Sequence, residues 1–531
     1  MNIYFWGMCV AMVIYLVVGF SVSKRIESTE DFYVAGRQAP VLLIAGSMIA
    51  SYASTGMFMG DAAQCYDGVF SPIVLFAGMQ SAGYIIGAVF FGRYLRRSKA
   101  LTIPEFFGER FCSSKMRTLS AIIAIITMTV YLLSVMQGIG TLMTVVTGVN
   151  YNLCIILALV VFTLISVLSG SRGVLITDTL MASVFTAALI VATLFIAKNT
   201  GGWYGAIETL ASNSNTADLL AWGGRSGPLY EDGISNVIWG LTYGVVWMSV
   251  CMVGPWQASR YQMARNEHVI VRSSIYAAAG VFALEFLAGI AAVMVRVANP
   301  DMADSSHVMI WASMNLMPKL LGVVLLTGIL SAGISSATTF LSLIGASVAN
   351  DVVGERCQNK IAIGRIAMVL VSLIVLFIAV YNPPAIFWIM FLGGAIVASS
   401  WMPVALACIF SPRLTCAGAF AGMLVGFLSC FFVKIGTNLL QISLPAFLDA
   451  SIIGIVCNII AMVLVSRFTQ PSEGEIRQRL QLFQIPASER KPKEVARTLH
   501  GMKIAIFMGV FVTAALLLLW VIPYYRGIAL Q

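Results

Sequence analysis

Fourteen apolar stretches, most of them long enough to cross a bilayer, leave this chain one kind of fold. They fall near residues 3–22, 41–66, 70–92, 118–147, 151–170, 173–197, 234–254, 273–296, 320–350, 362–381, 384–409, 415–436, 446–466 and 504–524. A helix needs about 20 such residues to span the hydrocarbon layer, and its backbone must satisfy its own hydrogen bonds there. The composition agrees, with 59% hydrophobic and 10% charged residues in 531. The chain is expected to be an all-α polytopic membrane protein of about fourteen transmembrane helices.

Charge placement predicts the orientation. If the first loop, with Lys24, Arg25 and Arg37, faces the cytoplasm, alternate loops collect nearly all the basic residues, Arg172, Arg260, Arg265 and Arg356 among them. Only Lys198, Arg225, Arg296, Lys319, Lys434 and Arg526 fall on the other side. The positive-inside rule then places both termini outside the cytoplasm, in a cell membrane. The net charge of +9 reflects this topology and gives no sign of nucleic-acid binding. The first stretch has no basic residues before it and no small-residue cleavage site after it, so it is expected to be retained rather than removed as a signal peptide.

Several function classes lose ground at this stage. His268, His307 and His500, the only histidines, fall in loops, so histidine chemistry inside the membrane is not expected. The ten cysteines lie in or beside apolar spans or in loops assigned to the cytoplasm, which argues against a disulfide framework. The longer loops, 198–233, 297–319, 93–117 and 467–503, are too small for a separate catalytic or sensor domain. The last is expected to be an amphipathic linker between the final two helices. Among ionisable residues inside the stretches, Asp178 and Glu285 stand out, too few for a convergent catalytic site, and an enzyme is not expected. Glu285 has only apolar neighbours in sequence and must be paired, neutralised or wetted; a structural role and a role in substrate or proton coupling both remain open.

Two segments carry the polar chemistry. In 320–350, Ser331, Ser335 and Thr338/Thr339 recur at helical spacing on one face. Ser335 lies roughly 24 Å along the helix from Asp351, deep in the bilayer. Massed neutral oxygens suit a small hard cation that must be held and released. Small residues also let membrane helices approach closely, and the segment alone leaves both readings open. The second segment, Ile49-Ala-Ser-Tyr-Ala-Ser-Thr-Gly56, is poor in bulky aliphatics and rich in groups that compete for backbone hydrogen bonds. An unwound patch at membrane depth is tolerated where it lines a cavity, and the pair of segments predicts a transporter built of inverted halves around a midplane site.

Several motifs in order then resemble the sodium:solute symporter family. They are Asp31-Phe-Tyr-Val-Ala-Gly-Arg37, Gly60 to Tyr66, Thr102-Ile-Pro-Glu-Phe-Phe-Gly-Glu-Arg110, Thr177-Asp178, Gln257-Ala-Ser-Arg260-Tyr and Ser411-Pro-Arg-Leu-Thr-Cys-Ala-Gly418. The resemblance covers roughly residues 25–435. It implies a LeuT-type core of ten helices in two inverted five-helix repeats, 41–198 and 234–409. Before them come one extra helix and the first cytoplasmic loop (1–40), between them an extracellular loop (199–233), and after them three helices (410–531).

The resemblance also implies sites. One sodium would lie between the first and eighth core helices, held by the carbonyls of Ala50, Ala53 and Ala332 and the hydroxyls of Ser335 and Ser336. Asp178, Thr338 and Thr339 occupy the positions of a second sodium found in some relatives. Substrate would bind among Tyr52, Ser54, Thr55, Gln80, Tyr131, Gln137, Trp239, Tyr243 and Trp247. Where proline-type carriers have an Asp beside the break, this chain has Tyr52. Where sugar-type carriers use Asn and a Tyr-Trp pair, it has Trp247, Val250 and Cys251. The function implied is sodium-coupled symport of a small organic monoanion or zwitterion, such as a monocarboxylate, a pantothenate-like acid or an amino acid. The protein is expected to act as a monomer in the lipid bilayer. A neutral nutrient, or a transporter-like membrane sensor, is the alternative.

Overall fold

A computed structural model describes residues 3–23, 29–354, 359–381 and 385–530. Lys24, Arg25 and Arg356 lie outside the described residues, as do the side chains of Asp31 and Arg172. Among the described residues, twelve helices are long and apolar enough to cross a membrane, and Ile3–Val18 and Val41–Tyr52 are shorter apolar helices.

The spans are α1 (Ile3–Ser23), α2 (41–67), α3 (70–98), α4 (Ser114–Thr147), α5 (Tyr151–Leu168), α6 (Gly173–Asn199) and α7 (Gly233–Met263). They continue with α8 (Glu267–Ala298), α9 (Lys319–Val353), α10 (Lys360–Tyr381), α11 (Ile386–Phe410), α12 (Cys416–Leu440), α13 (Ala450–Phe468) and α14 (Pro492–Ile528). The last begins earlier than hydropathy predicts, so the expected linker shortens to a loop carrying the capped helix Glu473–Leu482.

Two of these helices are interrupted. The first half of α2 ends at Tyr52, Ala53 is extended (φ −62°, ψ 112°), and the chain resumes at Gly56 as a wide π-type turn through Asp61. Helix α7 breaks at Gly254 (φ −57°, ψ 137°), directly before Pro255. Proline cannot donate to the preceding turn, so the break is written into the sequence. The apolar stretch 234–254 had been read as a whole span with Arg260 in the following loop; instead the helix continues through Met263, and Arg260 is 1% exposed. The expected cytoplasmic-loop position of Arg260 is thereby corrected.

Helices α3 and α7 pack closely enough to need glycine: a Cβ at Gly83 would lie 2.5 Å from the carbonyl oxygen of Met248. Helix α9 lies against α4, α5 and α6 and faces the break of α2. Large apolar side chains on α10 and α12–α14 are exposed, as in Phe377, Leu439, Phe468 and Phe507. A belt of this kind suits contact with lipid tails.

On the basic face, ion pairs tie the loops together. Arg117 pairs with Asp351 (2.8 Å) and Glu105 (3.3 Å), Thr102 donates to Asp351 (2.8 Å), and Arg97 pairs with Glu267 (2.5 Å). The opposite face carries an open vestibule of about 460 Å³, bounded by Gly60, Gln64, Thr141, Asp304, His307 and Phe387.

Candidate functional site

The break in α2 frees backbone oxygens. The last helical bond before it runs from the Ala53 N–H to the Ile49 carbonyl (2.9 Å), and the next from the Phe58 N–H to the Ser54 carbonyl (3.4 Å). Among the described residues no backbone N–H is directed at the carbonyls of residues 50–53. Local hydroxyls favour the opening: Ser51 Oγ donates back to the Ser47 carbonyl (2.8 Å), and Ser54 Oγ accepts from the Gly56 N–H (3.1 Å). Carbonyls freed at this depth need another partner.

Helix α9 presents that partner. A Cβ at Gly333 would sit 2.7 Å from Ile139 Cγ1 and 3.0 Å from Thr55 Cγ2, so this face of α9 packs against α4 and the Thr55 side chain at the break. Phe340, farther along, packs on Tyr131 and Trp256. Between them Ser336 is fully buried, and its hydroxyl has no hydrogen bond. Ala332 and Ser335 flank it on the same buried helix. Neutral carbonyls without helical partners and a buried hydroxyl without a partner are donors of the kind that fits a monovalent hard cation.

Ser331 does not join this set: it donates to the Thr327 carbonyl (2.6 Å) and meets the Tyr15 hydroxyl of α1 (2.5 Å). One turn further on, Ser335 donates to Asp178 Oδ1 (2.8 Å). Asp178 Oδ2 accepts from Ser47 (2.6 Å) and from Arg260 Nη2 (3.0 Å), and the ion pair is almost completely buried. Arg260 also donates to Ser47 Oγ (3.0 Å), Thr339 Oγ1 (2.8 Å) and the Trp256 carbonyl (2.8 Å). Thr338 turns back to the Ser335 carbonyl (3.0 Å). Asp178 and Thr339 are thus brought together as their sequence positions implied, with a guanidinium between them that already satisfies both.

The third cluster is aromatic. Tyr131 meets Ser54 (3.2 Å between oxygens) and packs against Trp247 (6.0 Å), Trp256 (5.3 Å) and Phe340 (4.8 Å). Trp247 also contacts Tyr52 (5.8 Å) and Tyr243 (6.2 Å), and Tyr243 stacks on Trp239 (4.8 Å). Phe387 lines the vestibule and packs against Tyr243 (5.5 Å), so it separates the vestibule from the cluster. Gln80 is fully buried, and neither of its amide atoms has a partner. It lies on α3 one turn from Phe76, which packs on Tyr243 at 4.6 Å. Thr55 donates to the Val135 carbonyl (3.3 Å). Gln137 is placed differently, accepting from the Ala385 N–H (3.2 Å) where α4 meets the start of α11.

Two interrupted helices, unpartnered neutral oxygens and a buried aromatic cluster suit a carrier, and the comparisons identify which kind. The sodium:solute symporter family model matches residues 32–426. The chain belongs to the sodium:solute symporter family. It is 25% identical over 444 residues to the sodium/proline symporter of Salmonella typhimurium, across 79% of this chain and 85% of that protein. Its fold is similar to that of a Na+-coupled sialic acid symporter in a substrate-bound outward-open state, with a TM-score of 0.74, 17% identity, and coverage of 89% of this chain and 99% of the other. Mhp1, a nucleobase-cation-symport-1 family transporter, solved closed with bromovinylhydantoin bound, is similar at a TM-score of 0.56 and 12% identity, over 86% of this chain and 99% of that one. The family is one of transporters, the fold is of the LeuT type, and this symporter is a multi-pass membrane protein that couples a small solute to sodium.

Sequence reasoning missed three residues of the symporter's centre. Arg260 was assigned to a loop, although Gly254-Pro255 marks the break that carries it inward. Asp61, buried at 2% exposure on the second half of α2, lay inside an apolar stretch and was passed over. Phe387, which lines the vestibule and packs on Tyr243, carries no signal in sequence, because nothing there distinguishes it from any other packing aromatic.

Proposed function

We propose that the symporter takes up a small organic solute through alternating access, with sodium bound by the carbonyls of Ala50, Ala53 and Ala332 and the hydroxyls of Ser335 and Ser336. What supports this is the buried, unpartnered Ser336 hydroxyl on a helix whose Gly333 packs against Thr55 at the break, together with the α2 carbonyls that lack helical partners there. A neutral oxygen set holds the ion without a full opposing charge, so the ion can leave when the site opens to the other side. The solute sits in the aromatic cluster between the two breaks, in contact with Tyr52, Ser54, Gln80, Tyr131, Tyr243 and Trp247. The two five-helix units, 41–198 and 234–409, move against each other.

The vestibule above Phe387 and the ion-paired basic face opposite it support an outward-facing start to the cycle, with both termini outside the cytoplasm by the charge bias. Opening the other side requires Arg260 to release Asp178, Ser47 and Thr339. A second sodium at Asp178, Thr338 and Thr339 would take the place of that guanidinium, so ion binding there and the inner lock compete for one carboxylate. The functional unit is the monomer in the bilayer.

The test is uptake into proteoliposomes under an inward sodium gradient. Uptake should follow that gradient and collapse when it is dissipated. Uptake that ignores sodium and tracks a proton gradient would overturn the assignment.

A further inference from the structure

Asp61 and Glu285 form a second buried acidic centre, separate from Asp178. Tyr52 at the break donates to Glu285 Oε2 (2.8 Å), and Tyr243 donates to Asp61 Oδ1 (3.2 Å). The two tyrosines both contact Trp247, at 5.8 Å and 6.2 Å between ring centroids. Each acid is thus bonded to a tyrosine whose ring packs on Trp247, which sets both acids beside one aromatic cluster. Each is 2% exposed. Among the described residues neither has an ion-pair partner, and the second oxygen of each carboxylate accepts no hydrogen bond.

An acidic pair inside a membrane bundle requires positive charge from somewhere. The nearest buried guanidinium, Arg260, is committed to Asp178. Arg296 lies three turns along α8 from Glu285 and is held by the Tyr66 carbonyl (3.0 Å) and ring. A bare metal ion would be served by oxygens alone, as at Ser336. Here the carboxylates are walled by the rings of Tyr52, Trp247 and Tyr243, and the faces of such rings attract organic cations. The buried Gln80, whose amide has no partner, lies one turn from Phe76, which packs on Tyr243. If the two carboxyls share one proton, the site carries a single negative charge, which one ammonium neutralises.

We propose that the Asp61–Glu285 pair, roofed by Tyr52, Trp247 and Tyr243, binds a cationic nitrogen of the transported solute, which is therefore an amine or a zwitterion and not a simple carboxylate. This rests on the transport reading above and narrows its solute class. A zwitterion would set its nitrogen here and leave its carboxylate for the polar groups beside the break of α2.

The test is thermal unfolding of the purified full-length protein, in sodium or potassium chloride, with matched probes: L-alanine against propionate, L-proline against cyclopentanecarboxylate, and tetramethylammonium alone. In sodium, at least one nitrogen-bearing probe should raise the midpoint and its nitrogen-free match should not. Asp61→Asn and Glu285→Gln should each weaken that probe at least ten-fold and leave the shift given by sodium alone unchanged. If either variant does not fold, Tyr52→Phe and Tyr243→Phe should weaken the probe in the same direction. Stabilisation by the nitrogen-free acids, stabilisation by no nitrogen cation, or a carboxylate variant that moves sodium affinity in place of probe affinity would each overturn the proposal. Loss of the sodium shift in the unmodified protein would instead count against the transport reading.

Discussion

Asp178 and Glu285 are both carboxylates buried near the middle of the bundle, yet their surroundings are opposite. Asp178 has a guanidinium at 3.0 Å and hydroxyls from Ser47 and Ser335 on its two oxygens. Glu285 has one tyrosine hydroxyl, an aromatic wall and a second acid, Asp61, in place of a cation. A carboxylate already neutralised by its own chain is a structural lock, opened only when something displaces the arginine. A carboxylate whose positive charge must come from outside is a receptor. Both hold the first half of α2, the lock at Ser47 and the receptor at Tyr52, the last residue before the break, while Asp61 lies beyond it. That arrangement lets ion and solute act on the same two moving helices.

The contrast breaks most easily through stability. Arg260→Ala strands a buried charge on Asp178 and should cost about 3–5 kcal/mol, read as a large fall in the unfolding midpoint. Glu285→Gln removes an uncompensated charge and should leave the midpoint unchanged or raise it. Equal losses in both variants would erase the distinction. Asp178→Asn together with Arg260→Met should recover most of what Arg260→Ala loses, since the lock is then removed as a pair.

A smaller effect sharpens the role of the lock. If sodium displaces Arg260 at Asp178, Asp178→Asn should bring the Hill coefficient for sodium in transport toward one. An unchanged coefficient with intact sodium affinity would leave Asp178 as the partner of Arg260 alone. The smallest effect is at Phe387, the ring between vestibule and aromatic cluster. Phe387→Ala removes an aromatic contact of about 0.5–1.5 kcal/mol. It should therefore speed solute release by roughly three- to ten-fold, with sodium affinity unmoved. An unchanged release rate would place the seal elsewhere.

Hydropathy carried most of the fold, because a membrane helix must be apolar along its length and the basic loops mark one face. The break of α2 was legible in Ser51, Ser54 and Thr55, whose hydroxyls compete with the helix locally. The break of α7 is equally written in Gly254-Pro255, but it lies at the end of the apolar stretch, where hydropathy alone marks the end of a span. That single misplacement hid Arg260 and with it the partner of Asp178. The pairing of Asp61 with Glu285 joins α2 to α8 through tertiary packing, and no local pattern in either helix announces it. Gln137, a polar residue on a core helix, accepts from the Ala385 N–H where the chain enters α11, a tertiary contact with no local sequence signal.

The sodium site itself is tested most directly by binding of radioactive sodium to the purified protein, which needs no knowledge of the solute. The unmodified protein should bind sodium saturably. Replacing Ser335 and Ser336 together by Ala removes two neutral ligands and should raise the half-saturating concentration by about ten-fold or more, close to 1.4 kcal/mol for each factor of ten. Saturable binding of unchanged affinity in that double variant would contradict the assignment of the ion to the break of α2 and the facing turn of α9.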